Sequence, residues 1–241
     1  MFGLPAGIRA CLFDMDGVLT RTATLHQAAW RQVFNEFLQA RHPEQRPFTQ
    51  DDYNRYVDGK PRADGVRDFL ASRGIRLPES SVDDPPGTAT VHGLARYKDE
   101  LFLQQLADRG VGVFPGSARY LRAVREADLR TAVVTASVHG AEVLAASGLA
   151  YLVDVRIDGV VAARDGLRGK PAPDGFLAAA QALGVPPAQA AVFEDALAGV
   201  AAGRAGGFGY VVGVDRTGQA AELRTHGADV VVTDLGQLLN D

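Results

Sequence analysis

Apolar and polar positions outside residues 21–108 follow a repeating order of short apolar runs and longer amphipathic stretches. Runs typical of buried strands lie at residues 8–13, 130–134, 153–157, 190–193, 210–212 and 230–232. Stretches with helical spacing lie at residues 114–127, 138–147, 174–183, 196–204 and 219–226, and residues 162–173 have the composition of a loop. Strands that alternate with helices predict an α/β fold built on a doubly wound parallel sheet.

Residues 21–108 have a different pattern, because no stretch in this region predicts a strand. Helical spacing is expected over residues 25–38, 63–72 and 90–108, with a loop at residues 42–52. The sequence therefore predicts an all-helical cap domain over residues 21–108. It would be inserted into a discontinuous core domain of residues 1–20 and 109–241.

Composition and charge narrow the possible partners. Apolar residues make up 46% of the 241 residues, and the net charge of −4 gives no basic field for nucleic acid or for a membrane surface. No apolar run reaches 18 residues, and the first residues lack the pattern of a secretory leader. The one cysteine, Cys11, cannot form an internal disulfide. We expect a cytoplasmic monomer that acts on a small molecule, without a nucleic-acid or membrane partner.

Two carboxylates follow the first predicted strand. Asp14 and Asp16 are separated by one residue, and Gly17 comes directly after them. A glycine at this point predicts a turn with room for a close approach to the backbone. Taken alone, the pair is as consistent with plain turn formers as with a ligand site, because aspartate is common in turns.

Polar side chains also follow other strands of the predicted sheet. They are Thr135 and Ser137 after the second strand, Glu194 and Asp195 after a later strand, and Lys170 in a loop before a helix. The carboxyl ends of parallel strands meet at one edge, where open α/β sheets bind ligands. We therefore expect these residues to converge with Asp14 and Asp16 on one site.

This set of residues suits phosphoryl transfer, which needs mainly positioning and neutralisation of charge. Asp14 can attack phosphorus and form an aspartyl phosphate, and Asp16 can act as the general acid and base. Lys170, the Thr135 hydroxyl and the Ala136 amide would hold phosphoryl oxygens, and Ser137 is a further candidate for substrate binding.

Mg²⁺ is the cofactor that the acidic residues predict, because it prefers oxygen ligands. Asp14 and Asp195 would supply side-chain oxygens, and Asp16 would supply its main-chain carbonyl. Glu194 is either a further ligand or a residue that orients the ligands. The sequence contains neither a serine-hydrolase elbow nor a P-loop.

Four segments together resemble the motifs of the haloacid dehalogenase superfamily, in the same order and across the whole chain. They are DMDGVLT at 14–20, VVTAS at 133–137, GKPAPD at 169–174 and FEDALAG at 193–199. The residues Thr22, His26, Arg62 and Lys98 stand in segments similar to the β-phosphoglucomutase branch. That branch has a Rossmann-like core with a helical cap that closes over the site, and it interconverts β-D-glucose 1-phosphate and β-D-glucose 6-phosphate with Mg²⁺.

The resemblance also implies roles for residues of the predicted cap. Arg62 would bind the phosphate that is not being transferred, Lys98 would lie near the sugar, and Thr22 and His26 would align Asp16 or the sugar.

One departure from the branch leaves alternatives open. Val138 and His139 stand where a Lys-Asn pair is typical, which removes a cation from the second phosphate site. His139 either replaces a lost donor to the substrate or is a surface histidine. A sugar-phosphate phosphatase, with water as the acceptor, therefore remains an alternative. A non-enzymatic phospho-acceptor switch is a more remote one, since a switch needs neither a cap nor Asp16.

Overall fold

A computed structural model describes residues 2–239 of the chain. The described residues form two compact units, one of residues 2–21 and 111–239 and the other of residues 22–110. Within the described residues, no helix has both the length and the apolar character needed to cross a membrane. The assignment of these units as a catalytic core and a cap remains a prediction.

The first unit contains a six-stranded parallel sheet. Its strands are β1 (Ala10–Phe13), β2 (Arg130–Val134), β3 (Val155–Ile157), β4 (Ala190–Glu194), β5 (Tyr210–Val214) and β6 (Val230–Val232). The order across the sheet is β3-β2-β1-β4-β5-β6, so β1 lies between β2 and β4. The order of the strands reverses at β1, and the carboxyl end of such a switch point is where a ligand crevice forms. The predicted doubly wound α/β fold is confirmed.

Helices connect these strands and form the second unit. In chain order they are α1 (Ala23–Arg41), α2 (Gln50–Asp52), α3 (Arg62–Ser72), α4 (Val91–Arg109), α5 (Pro115–Glu126), α6 (Gly140–Ala146), α7 (Gly159–Asp165), α8 (Asp174–Leu183), α9 (Leu197–Ala205) and α10 (Ala220–Thr225). Residues 22–110 are described throughout and contain no strand, which confirms the predicted all-helical insertion.

Both faces of the sheet are buried, as the apolar runs predict. Successive side chains of a strand point to opposite faces, so Leu12 joins the apolar cluster that contains Phe176 of α8. On the other face Phe13 stacks on Phe193 of β4, with ring centroids 4.5 Å apart, and Tyr120 of α5 lies against both rings. This packing fixes β1 and β4 side by side, and both strands carry predicted site residues at their carboxyl ends.

The helical unit has an aromatic core of its own. Phe34 of α1 contacts Trp30, Phe48 and Phe69, with centroid distances of 4.3–5.0 Å. These rings belong to a cluster that also includes buried residues of α3 and α4. The cluster explains the helical spacing of apolar residues in this part of the sequence.

Two predicted loops contain short helices instead. The loop expected at residues 162–173 overlaps α7, which begins after Asp158, whose carboxylate accepts hydrogen bonds from the amides of Val160 and Val161. Gly166, with a φ of 65°, ends this helix in the left-handed conformation. In the expected loop at 42–52, α2 begins at Gln50 and leads into a π-helical turn, Tyr53–Val57.

Candidate active site

The chain turns sharply after β1, at the two predicted aspartates. The amide of Asp14 donates to the carbonyl of Phe193 over 2.9 Å, so Asp14 continues the ladder between β1 and β4. Gly17 has a φ of 88°, and its amide donates to the carbonyl of Thr20 over 2.8 Å. A Cβ atom on Gly17 would lie 1.7 Å from Oδ2 of Asp195. The predicted close approach at Gly17 is therefore confirmed, and the group that approaches is the Asp195 carboxylate.

Lys170 links the acidic residues of β1 and β4. Its ammonium group donates to Oδ1 of Asp14 over 2.5 Å, to the Glu194 carboxylate, and to the carbonyl of Val134 over 3.2 Å. These three acceptors match the three protons of the group. Burial alone would lower the pKa of Lys170, but the charges of Asp14 and Glu194 outweigh it and raise the pKa above its usual value. Lys170 is therefore a fixed positive charge inside the site.

Asp14 is buried, with 6% of its surface exposed. Burial raises the pKa of its carboxyl group, and the nearby charges of Glu194 and Asp16 act in the same direction, whereas Lys170 lowers it. A bound divalent cation would favour the ionised form further, because opposite charge stabilises a carboxylate.

Asp14, Glu194 and Asp195 form an acidic cluster in which one carboxylate oxygen of each lies within 4.8 Å of the others. Carboxylate oxygens are the ligands that hard divalent cations prefer, so the donor set fits such an ion. Both carboxylate oxygens of Glu194 have partners: one pairs with Lys170, and the other accepts from the amide of Ala196 over 3.1 Å. This pairing favours the orienting role for Glu194 over that of a direct ligand. The predicted Asp16 carbonyl ligand stays a prediction.

Thr135 and Asp16 meet across the site. The hydroxyl of Thr135 lies 3.3 Å from Oδ2 of Asp16 and accepts from the amide of Ser137 over 3.1 Å. Asp16 is partly exposed while Asp14 is buried, so the two aspartates have different surroundings although one residue separates them. A partly exposed carboxylate can exchange protons with a substrate, which suits Asp16 to acid–base work.

The segment after Thr135 departs from expectation. Helix α6 begins at Gly140, two residues later than predicted, so Ala136 lies in the preceding turn and not at a helix N-terminus. Ser137 builds this turn, because its carbonyl accepts from the amide of Gly159 over 2.9 Å and its hydroxyl accepts from the amide of His139 over 3.2 Å. His139 immediately precedes α6 and is half-buried.

Three of the predicted site residues of the helical unit make polar side-chain contacts. Nζ of Lys98 lies 2.5 Å from Nδ1 of His26, and the His26 ring stacks on Phe102 with a centroid distance of 4.0 Å. Lys98 is almost completely buried, and its ammonium group lies 4.8 Å from the centre of the Phe102 ring. Arg62, the first residue of α3, pairs with Asp99.

Thr22 immediately precedes α1 and is buried. Its carbonyl accepts from the amides of Leu25 and His26 at 2.9 and 3.0 Å. The roles of Thr22, His26, Arg62 and Lys98 toward a substrate stay predictions.

Sequence reasoning missed two residues in the loop that follows β5. Arg216 donates to the carbonyl of Gly17 over 2.7 Å, and the side-chain amide of Gln219 donates to the carbonyl of Asp195 over 3.0 Å. The signal available was position alone, because β5 ends at the same edge of the sheet as β1, β2 and β4.

The sheet-bearing unit therefore brings together a buried aspartate, a fixed ammonium group, a hydroxyl, a second aspartate and an acidic cluster. Phosphoryl transfer on a parallel α/β sheet requires groups of these kinds, which position the phosphoryl group and neutralise its charge. A family model described as haloacid dehalogenase-like hydrolase matches residues 8–207. The chain belongs to this family, and it is an enzyme of phosphoryl transfer through an aspartate.

Among curated relatives, the chain is 54% identical to a β-phosphoglucomutase of Mycobacterium tuberculosis (strain CDC 1551 / Oshkosh) over 247 residues, which covers 99% of this chain and 94% of the relative. It is 30% identical to validoxylamine A 7'-phosphate phosphatase of Streptomyces hygroscopicus subsp. limoneus, with 95% of each chain covered.

Among solved structures, the chain is similar to CbbY from Rhodobacter sphaeroides in complex with phosphate. The identity is 26%, the TM-score is 0.68, and 96% of each chain is covered. A β-phosphoglucomutase from Clostridium difficile shares the fold, with a TM-score of 0.76 at 24% identity and coverage of 96% of this chain and 93% of that one.

Proposed function

We propose that this chain is a β-phosphoglucomutase, which interconverts β-D-glucose 1-phosphate and β-D-glucose 6-phosphate with Mg²⁺. The observation that carries the proposal is the 54% identity to the mycobacterial β-phosphoglucomutase over nearly the whole of both chains. The pairing of Asp14 with Lys170 and the contact of Asp16 with Thr135 support it, because they give a nucleophile and an acid–base group separate surroundings.

Phosphoryl transfer would begin on Asp14. One of its carboxylate oxygens attacks phosphorus, the bond between phosphorus and the sugar oxygen breaks, and Asp16 gives a proton to that oxygen. In the reverse direction Asp16 removes the proton from a sugar hydroxyl as that oxygen attacks the phosphorylated Asp14. The two directions together move a phosphoryl group between two oxygens of glucose through a glucose bisphosphate.

The other residues of the site would bind and orient the phosphoryl group. Lys170, the Thr135 hydroxyl and the Ala136 amide would hold its oxygens, with Ser137 beside them. Asp14, Asp195 and the Asp16 carbonyl would hold Mg²⁺, with Glu194 fixing the arrangement through Lys170. When bound, the ion supplies positive charge that stabilises the charge developing on the phosphoryl oxygens.

The resemblance to the β-phosphoglucomutase branch extends the proposal to the helical unit. Arg62 would bind the phosphate that stays on the sugar, and Lys98 would lie near the sugar ring. Thr22 and His26 would align Asp16 or the sugar. Water must be excluded while the aspartyl phosphate exists, because that acyl phosphate otherwise hydrolyses. A cytoplasmic location and a monomeric state stay predictions from the sequence.

A sugar-phosphate phosphatase is the second candidate. Two observations favour it: Val138 and His139 replace the Lys-Asn pair typical of the mutase branch, and a phosphatase is 30% identical over 95% of this chain. In that case water, activated by Asp16, would take the phosphoryl group from Asp14. The enzymes among the relatives disfavour a non-enzymatic switch.

The products of one reaction decide between the two enzymes. β-D-glucose 1-phosphate is supplied with Mg²⁺ and a trace of glucose bisphosphate, and glucose 6-phosphate and free phosphate are measured together. Glucose 6-phosphate formed with little phosphate supports the mutase. Phosphate released at the same rate as glucose 6-phosphate, or faster, would replace the mutase with the phosphatase.

The variant Asp16→Ala tests the acid–base role. We expect it to abolish turnover while Mg²⁺ binding, measured by calorimetry, stays close to wild type, because the ligand at this position is a main-chain carbonyl. Retained turnover in Asp16→Ala would contradict the role of Asp16.

A further inference from the structure

The loop of residues 215–219, between β5 and α10, connects two other loops of the active site. Asp215 shapes this loop, because its Oδ1 accepts hydrogen bonds from the amides of Thr217, Gly218 and Gln219 at 2.7–3.2 Å. The amide of Asp215 donates to the carbonyl of Val232 over 2.8 Å, which ties the start of the loop to β6. The loop is thus held to the sheet before its side chains reach the site.

Arg216 binds the turn that carries Asp16. Its Nε donates to the carbonyl of Gly17 over 2.7 Å, its Nη2 lies 3.5 Å from the carbonyl of Val18, and its Nη1 donates to the carbonyl of Thr233 over 2.6 Å. The guanidinium group lies 3.6 Å from the centre of the Phe114 ring. Only a planar group with several donors can make these contacts at once, so a lysine would not reproduce them.

Gln219 binds the other aspartate loop. Its side chain is buried, and its Nε2 donates to the main-chain carbonyl of Asp195 over 3.0 Å. Asp195 in turn lies directly against Gly17, where a Cβ atom would come within 1.7 Å of its carboxylate. Arg216 therefore fixes the Gly17 side of the contact between Gly17 and Asp195, and Gln219 fixes the Asp195 side.

We propose that residues 215–219 are a positioning element that sets the distance between the Asp16 turn and Asp195. Arg216 and Gln219 act as its positioning residues. Both side chains donate to main-chain carbonyls, so they fix the path of the backbone and take no part in the chemistry. The catalytic part of this inference rests on the proposed function, whereas the part that concerns cation binding by Asp195 does not.

The test compares Arg216→Met, Arg216→Lys and Gln219→Leu with the matched control Arg224→Met. Arg224 is an exposed arginine of α10 that donates to the carbonyl of Ala220. Affinity for Mn²⁺ and Mg²⁺ is measured by calorimetry without substrate, and kcat and KM are measured for β-D-glucose 1-phosphate at saturating Mg²⁺. Thermal unfolding identifies any variant that fails to fold.

We expect Arg216→Met and Gln219→Leu to lose about 10- to 100-fold in cation affinity or kcat, the loss typical when residues that orient metal ligands are removed. The KM should change much less, because neither side chain is a substrate ligand. Arg216→Lys should behave like Arg216→Met, because a lysine keeps the charge but lacks the planar group with several donors. Arg224→Met should match wild type.

Two results would overturn the proposal. One is wild-type cation affinity and kcat in folded Arg216→Met or in folded Gln219→Leu. The other is full recovery in Arg216→Lys, which would mean that only the charge matters. If wild type releases phosphate instead of forming glucose 6-phosphate, the proposed mutase function is wrong. The same variants are then compared by their rates of phosphate release. The cation affinities are independent of that outcome.

Discussion

Adding one methyl group at Gly199 should disable the site from a position outside it. Gly199 lies in α9, and a Cβ atom there would come within 1.9 Å of the carboxylate of Glu194. Non-bonded carbon atoms separate to about 3.5 Å or more. The carboxylate must therefore move by roughly 1.5 Å. A shift of that size stretches its hydrogen bonds beyond the usual donor–acceptor limit of about 3.2 Å. Both of its described partners, Lys170 and the amide of Ala196, are affected.

The change in the free energy of unfolding caused by Gly199→Ala is the sum of opposing contributions. Overpacking costs about 1–3 kcal/mol, and losing one hydrogen bond to a charged group costs about 1.5–3 kcal/mol. The higher helix propensity of alanine returns up to about 1 kcal/mol. Gly199→Ala should therefore be destabilised by about 1.5–6 kcal/mol, which lowers Tm by about 3–24 °C for a chain of this size. Loss of the contact between Glu194 and Lys170 should reduce kcat by about 10- to 100-fold.

Gly203→Ala is the matched control, because Gly203 lies in the same helix. A Cβ atom at Gly203 would meet methyl groups of Val192 and Val211 at 3.2 Å, which small shifts can relieve. We expect wild-type kcat in this variant. Scanning calorimetry and steady-state kinetics on the two variants complete the test. Equal Tm and equal kcat in Gly199→Ala and Gly203→Ala would refute the reasoning.

Two further predictions concern the helical unit. Burial raises the pKa of Asp52, but the hydrogen bonds from Thr49 and the charges of Arg73 and Arg46 outweigh it and hold the pKa below its usual range. Asp52→Asn should lower the free energy of unfolding in urea by about 1.5–3 kcal/mol at pH 7. This difference should be full above about pH 4 and shrink as the pH falls through the lowered pKa of Asp52. A difference that grows in acid would contradict the assignment. Separately, Asp99 pairs with Arg62, and a substrate phosphate bound by Arg62 would have to displace it. If the pair contributes about 0.5–1 kcal/mol, Asp99→Asn should lower KM for the sugar phosphate about 2- to 5-fold. An unchanged or raised KM would argue against phosphate binding by Arg62.

The strands and the convergence of the site residues could both be predicted from features visible in short stretches of sequence. Short apolar runs located every strand of the sheet, since a parallel sheet buries both faces. The rule for carboxyl ends then brought Asp14, Thr135 and Asp195 to one edge. Lys170 was harder to place, because it reaches the edge from a loop and not from the end of a strand.

The residues that were not predicted from the sequence bind main-chain carbonyls or have roles that depend on partners far away in the chain. Arg216 contacts Gly17 from nearly two hundred residues away, and no side-chain pattern marks a donor to a carbonyl. The choice between two roles for Glu194 needed its contacts with Lys170 and Ala196. Helix α7 did leave a signal, Asp158 before it and Gly166 after it, but a surface helix of seven residues has little hydrophobic period to detect.

The two segments of the sheet-bearing unit that flank residues 22–110 lie side by side. The amide of Arg21 donates to the carbonyl of Gly112 over 2.8 Å, and Thr20 bridges to Val113. Neighbouring chain ends of this kind are where inserted domains are tolerated, because the host needs no new path to accommodate them. Residues 22–110 can therefore be exchanged for the corresponding segment of a relative while Asp14 and Asp16 keep their scaffold. Such chimaeras test whether the helical unit determines the acceptor of the phosphoryl group.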